Sequence, residues 1–127
     1  MKLLVDTSVL IDHLRGRRAA VDLLLDAVTR GDELWAVVLS RSEVLRGMRA
    51  GEAPRTMRLL SSLSWLDVTP EIADRAGEIG RRYRRSHPGI DLVDLVIAAA
   101  TEAMPARLLT LNVKHFPMLV DLEPPYR

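Results

Sequence analysis

The chain predicts a single α/β domain with a central, mainly parallel sheet, and three observations lead there. Short apolar runs alternate with stretches of helical periodicity, the pattern of strands joined by crossover helices. The 127 residues suit one domain, 1–127, and no linker, internal repeat or low-complexity segment divides them. A hydrophobic share of 48% is ample for a core under such a sheet.

The elements follow in order. Leu3-Leu4-Val5 is a buried-strand run ending at Asp6, followed by a brief Val9-Leu10-Ile11 segment and a break at Gly16. Val21, Leu24, Leu25 and Val28 then fall at i, i+3, i+4 and i+7, which predicts one buried helix face ending at Gly31-Asp32. Leu34 to Leu39 reads as the second strand, and Ser40-Arg41-Ser42-Glu43 as a capping box that opens a helix to about Arg49. Gly51 to Pro54 is a turn, with Pro54 at the start of a helix toward Leu63.

Trp65 to Val68 predicts a third strand. Thr69-Pro70-Glu71 caps a helix with Ile72, Ala76, Ile79 and Tyr83 on one side, and His87-Pro88-Gly89 breaks it. Asp91 opens an apolar helix to about Ala103, Arg107 to Thr110 is a fourth strand, and the tail from Val120 to Arg127 offers a short edge strand. Ligands of such sheets bind beyond the carboxyl ends of the strands. Asp6, the Ser40–Glu43 turn and the Thr110–Asn112 turn therefore belong at one edge.

Composition narrows the chemistry. Without cysteine, disulfides and thiolate metal sites are excluded. His13, His87 and His115 lack ligand-like spacing, so oxygen donors and hard ions such as Mg²⁺ or Mn²⁺ are expected. The early Asp6 argues against a signal peptide, and Leu92–Ala100, interrupted by Asp94, is far short of the roughly 20 residues of a membrane span. A soluble, cytoplasmic protein is the expectation. Net charge is only +1, but Lys2 and Lys114 are the only lysines among eighteen basic residues. Arginine forks suit phosphate, and a GC-rich genome would give the same bias.

Three carboxylates stand out. Asp6 ends an apolar run, where it is either a helix cap or a ligand. Glu43 at the third position of a capping box is structural in one reading and cleft-facing in the other. Asp91 and Asp94 share the first turn of the apolar helix; Asp91 suffices as its cap, which leaves Asp94 among apolar neighbours in need of a cation. Asp6, Glu43 and Asp94 in one pocket would raise one another's pKa, and a divalent ion removes that cost. Such an arrangement is the chemistry of a metal nuclease.

These segments carry a family likeness. Met1–Ile11, Ser40–Gly47, Asp91-Leu92-Val93-Asp94 with Ile97-Ala98-Ala99, and Leu109–Phe116 together resemble a PIN domain, specifically the VapC-like toxins of type II toxin–antitoxin systems. The resemblance implies a three-layer α/β/α sandwich and Mg²⁺- or Mn²⁺-dependent endoribonuclease activity. It makes Asp6, Glu43 and Asp94 the catalytic, metal-binding acids, with Thr7, Ser8, Asp91 and Asn112 in support. It also implies a homodimer and a small antitoxin whose tail occupies the active-site groove, with operator DNA reached only through that complex. Many PIN domains carry aspartate where this chain has Asn112, which weakens any second metal position.

Arg15, Arg17 and Arg18 are candidate phosphate contacts, and Arg81, Arg82, Arg84 and Arg85 cluster around Tyr83 as either a contact surface or a solvated face. Met57, Leu59, Leu60, Leu63 and Trp65 would build either core or an interface. The rival from another class is a degenerate PIN domain that binds RNA or protein without cutting. A phosphatase using Asp6 as nucleophile would need a second acid two residues on, where Ser8 stands.

Overall fold

A computed structural model describes residues 1–127. Four parallel strands form one sheet in the order β3-β2-β1-β4: β1 (Lys2–Val5), β2 (Glu33–Val37), β3 (Ser64–Leu66) and β4 (Arg107–Leu109). Six helices fill the crossovers: α1 (Thr7–Leu14), α2 (Arg18–Thr29), α3 (Val38–Arg46), α4 (Ala53–Ser61), α5 (Pro70–Tyr83) and α6 (Leu92–Ala103). None is long and apolar enough to cross a membrane.

Strand alternation makes the three layers. Leu3, Val5, Leu34, Ala36 and Leu109 face a core shared with Val9 and Leu10 of α1, Leu24 and Ala27 of α2, Val44 of α3 and Leu59 and Leu60 of α4. The residues between them, Leu4, Val37 and Leu108, turn the other way, onto Ile72, Ala76 and Ile79 of α5 and Val96 to Ala100 of α6. The register Leu3↔Leu34 and Leu4↔Leu108 keeps like faces together.

The strand order reverses between β1 and β4. From β1 the chain steps outward to β2 and β3, then returns through α5 and α6 to β4 on the other side. That reversal opens a crevice at the carboxyl ends of β1 and β4, where α/β sheets bind ligands. The Asp6 amide donates to the Leu109 carbonyl at 2.9 Å, which fixes the two strand ends side by side.

Four sequence expectations change. The Val9–Ile11 segment is part of a full helix, α1. β2 stops at Val37 and α3 starts at Val38, so Ser40 to Glu43 lie inside the helix and make no capping box. An apolar run that ends a strand cannot be told by periodicity from one that opens a buried helix. On α2 the buried positions are Ala20, Leu24 and Ala27, while Leu25 and Val28 are 61% and 55% exposed. Two alanines flank Leu24 on the buried face of this helix. The tail forms no edge strand; Tyr126 instead donates to Asp12 Oδ2 at 2.8 Å and ties the C-terminus to α1. Leu59, Leu60 and Leu63 are core, whereas Met57 is exposed.

Candidate active site

Asp6 is the residue on which the crevice is built. It occupies the N-cap position of α1 yet makes no side-chain cap bond. Its Oδ2 instead accepts from Ser8 Oγ and Thr110 Oγ1, both at 2.7 Å, across the seam between β1 and β4. The carboxylate is 3% exposed, and no protein group donates to Oδ1. Two hydroxyl donors therefore keep a buried charge tolerable while leaving one oxygen free. Thr110 is itself fixed, since its hydroxyl accepts from the Asn112 amide at 3.0 Å, and the Leu111 amide donates to Ser8 Oγ at 3.3 Å.

Glu43 lies on the second turn of α3, half-buried. Its Oε1 accepts from Thr7 Oγ1 at 2.6 Å, which draws α3 toward the start of α1. The glutamate is thus held by a side chain next to Asp6 and not by the Ser40 amide. Ser40, one turn earlier, is fully buried with its hydroxyl unbonded.

Asp94 is 7% exposed at the third position of α6. Asp91 Oδ1 accepts from the Asp94 amide at 2.9 Å, and the Asp91 amide reaches back to Asp94 Oδ2 at 3.4 Å, so the capping box is made by both acids together. The expectation that Asp91 alone caps the helix is corrected: a capping box needs an acceptor at each end. Burial, then the charges of Asp91 and Asp6, push the Asp94 carboxyl up to about 6. Asp6 is therefore close enough for the two acids to feel one another.

His115 enters the site unannounced. Its Nδ1 lies 3.0 Å from Asp94 Oδ2, too poorly aligned for a hydrogen bond. Sequence scatter concealed it, although its place five residues past Thr110, in the segment that follows β4, was the available signal. Thr110 lay at the expected edge but without a role. Asn112 is half-buried at the start of the short helical turn Val113–His115, and its side chain caps nothing.

Two groups stand apart. Arg15, Arg17 and Arg18 lie at the far end of α1 and each hold a carboxylate: Glu52 at 3.1 Å, Asp12 at 3.0 Å and Asp22 at 3.2 Å. His13 lines a groove of about 350 Å³ between α2 and α4, with Leu25, Val28, Leu59, Arg55 and Arg58.

The donor set suits a hard divalent ion in kind, since Asp6 and Asp94 are buried oxygen donors of like charge, and His115 beside Asp94 opposes that charge only when protonated. As the side chains stand, no three acids or histidines close around a single point.

The PIN domain family profile matches residues 3–117. Ribonuclease VapC19 of Mycobacterium tuberculosis is 47% identical over 123 residues, covering 97% of this chain and 98% of that one. Ribonuclease VapC10 of the same organism is 48% identical over 124 residues, covering 98% and 92%. Among solved structures, a toxin–antitoxin complex from Klebsiella pneumoniae matches with a TM-score of 0.81 at 25% identity, over 98% of each chain. VapBC-1 from nontypeable Haemophilus influenzae shares the fold, with a TM-score of 0.76 at 21% identity over 97% of this chain and 96% of that one.

Proposed function

Since this chain belongs to the PIN-domain family, we propose that it is a divalent-metal-dependent endoribonuclease, the toxin of a toxin–antitoxin pair. The observation that carries the reading is the buried Asp6–Asp94 pair at the switch between β1 and β4, each carboxylate keeping an oxygen free of protein donors. The two ribonuclease relatives, alike over nearly their whole length, support RNA as substrate.

Asp6 and Asp94 would hold Mg²⁺ or Mn²⁺. When bound, the ion neutralises charge on the phosphodiester and acidifies water. Ser8 and Thr110 fix Asp6 through Oδ2, which leaves Oδ1 free of protein donors and available to the ion. Glu43, held through Oε1 by Thr7, keeps Oε2 to orient the attacking water and take its proton. Water adds to phosphorus as the bond to the 3′-oxygen breaks, leaving a 5′-phosphate and a 3′-hydroxyl. Asn112 offers an amide oxygen at the rim but no charge, which favours one ion over two.

Purified protein should cut RNA with Mg²⁺ or Mn²⁺ and stop when the ion is chelated. Asp94→Asn should slow cleavage about 10²–10³-fold, comparable to losing one strong electrostatic stabiliser. Cleavage at the wild-type rate by that variant would end the site assignment. A metal-independent failure to cut, with RNA still bound, would favour the non-cutting PIN domain.

The antitoxin partner is supported by the toxin–antitoxin complex from Klebsiella pneumoniae and by the apolar groove between α2 and α4, where Leu25 and Val28 are left uncovered. A homodimer is part of the same proposal. Light scattering of the purified chain tests the dimer, and co-expression with the product of any small reading frame found overlapping this one upstream tests the antitoxin.

A further inference from the structure

We propose that the mouth of the α5–α6 hairpin is a nucleobase subsite that holds one unpaired nucleotide of an RNA strand beside the acids. The proposal rests on the ribonuclease reading and goes beyond it by naming where the strand is gripped. A cavity of about 340 Å³ opens there, lined by Tyr83, Arg84, His87, Ile90 and Leu95 among others. That is at the small end of the roughly 300–1,000 Å³ of ligand sites.

Its position joins it to the catalytic acids. Ile90 directly precedes Asp91, and Leu95 directly follows Asp94, so one helix start presents acids on one side and the cavity wall on the other. The wall chemistry suits a base. Tyr83 and His87 meet edge to face with ring centroids 5.6 Å apart, which leaves ring surface for stacking. Ser86 Oγ lies 2.8 Å from His87 Nδ1 and fixes the tilt of that ring.

Phosphate-binding charge surrounds the same opening. Arg81, Arg82, Arg84 and Arg85 are exposed, and none is within ion-pair distance of a carboxylate. Arg15, Arg17, Arg18, Arg30 and Arg75 are each neutralised by an acid; the other arginines are unpaired too, and what sets these four apart is their clustering in sequence around Tyr83. Arg82 lies 5.7 Å over the Tyr83 ring. Aromatic surface with unneutralised arginines is the combination that binds single strands, stacking each base and tracking its phosphates. A double helix would not present a free base to the cavity.

The test uses the whole chain with the divalent ion chelated, so that binding is separated from cleavage. A fluorescent ten-nucleotide single-stranded RNA is titrated against wild type, Arg84→Ala and His87→Ala. Both changes lie outside the two core clusters, and circular dichroism checks that the fold is kept. His87→Ala should weaken binding about tenfold at every salt concentration, as expected for a lost stacking surface. Arg84→Ala should shallow the salt dependence by about 0.7 in log–log slope, one phosphate contact on a single strand. Nucleoside 5′-monophosphates should bind better than ribose 5-phosphate.

Unchanged affinity and slope in both variants would overturn the subsite, as would equal binding of ribose 5-phosphate. Loss of a protein partner in these variants, with RNA affinity intact, would make the surface a protein interface and overturn it equally. The two readings fail separately. Wild type that cuts RNA while both variants bind normally sinks the subsite alone; wild type that binds nucleotides here but never cuts sinks the nuclease alone.

Discussion

A buried carboxylate is stable only in company, and Asp6 shows what kind. Thr110 and Ser8 each give it a hydroxyl at 2.7 Å, and Thr110 is wholly buried. Thr110→Val keeps the shape and removes one donor, so it should cost about 1–3 kcal/mol of stability, read as a lower midpoint in urea. Asp94 behaves differently, because its company is mostly negative. Its carboxyl sits up at about 6 against an ordinary 3.8. Between those values the folded chain binds more protons than the unfolded chain, so metal-free stability falls as pH rises through that window. The loss is complete above about 6 and absent below about 4. Asp94→Asn should flatten this slope in metal-free urea titrations at pH 4.5 and 7; an unchanged slope would assign it to other groups.

At the level of elements, α6 depends most on its first turn. Its body, Val96 to Ala100, is buried on nearly every side and supplies packing in plenty. The exposed amides at its start rely on the reciprocal Asp91–Asp94 box. Asp91→Ala should cost about 1 kcal/mol in thermal or chemical unfolding, the usual loss for a removed N-cap. It should also lower activity, because Asp94 is aimed by the same turn. Gly80 on α5 faces this helix closely: a Cβ there would come within 2.8 Å of Leu95 Cδ1. The short approach lets the hairpin close beside the cavity.

Across the whole molecule, β1 is the keystone, paired on one side with β2 and on the other with β4. Leu4 points from it into the α5–α6 core and has no exposed surface. Leu4→Ala should cost about 2–5 kcal/mol in chemical denaturation. Cleavage per folded molecule should hold near the wild-type rate, because Asp6 lies beyond the end of β1 and is held by its own bonds to Ser8, Leu109 and Thr110.

The sequence by itself determined the α/β class, the mainly parallel sheet and five of the six helices, and it singled out Asp6, Glu43 and Asp94 as candidates. Periodicity and chain order carry that information, since side-chain alternation in strands and the 3.6-residue helical repeat are local properties. Tertiary structure decided the rest. Where β2 yields to α3, which face of α2 is buried, and that Thr7 rather than Ser40 holds Glu43 depend on partners far along the chain. The 104 residues separating Asp6 from Thr110, and the approach of His115 to Asp94, vanish only when β1 and β4 lie side by side. Local pattern fixes what a segment can become; only the packed sheet fixes which distant groups must share one charge.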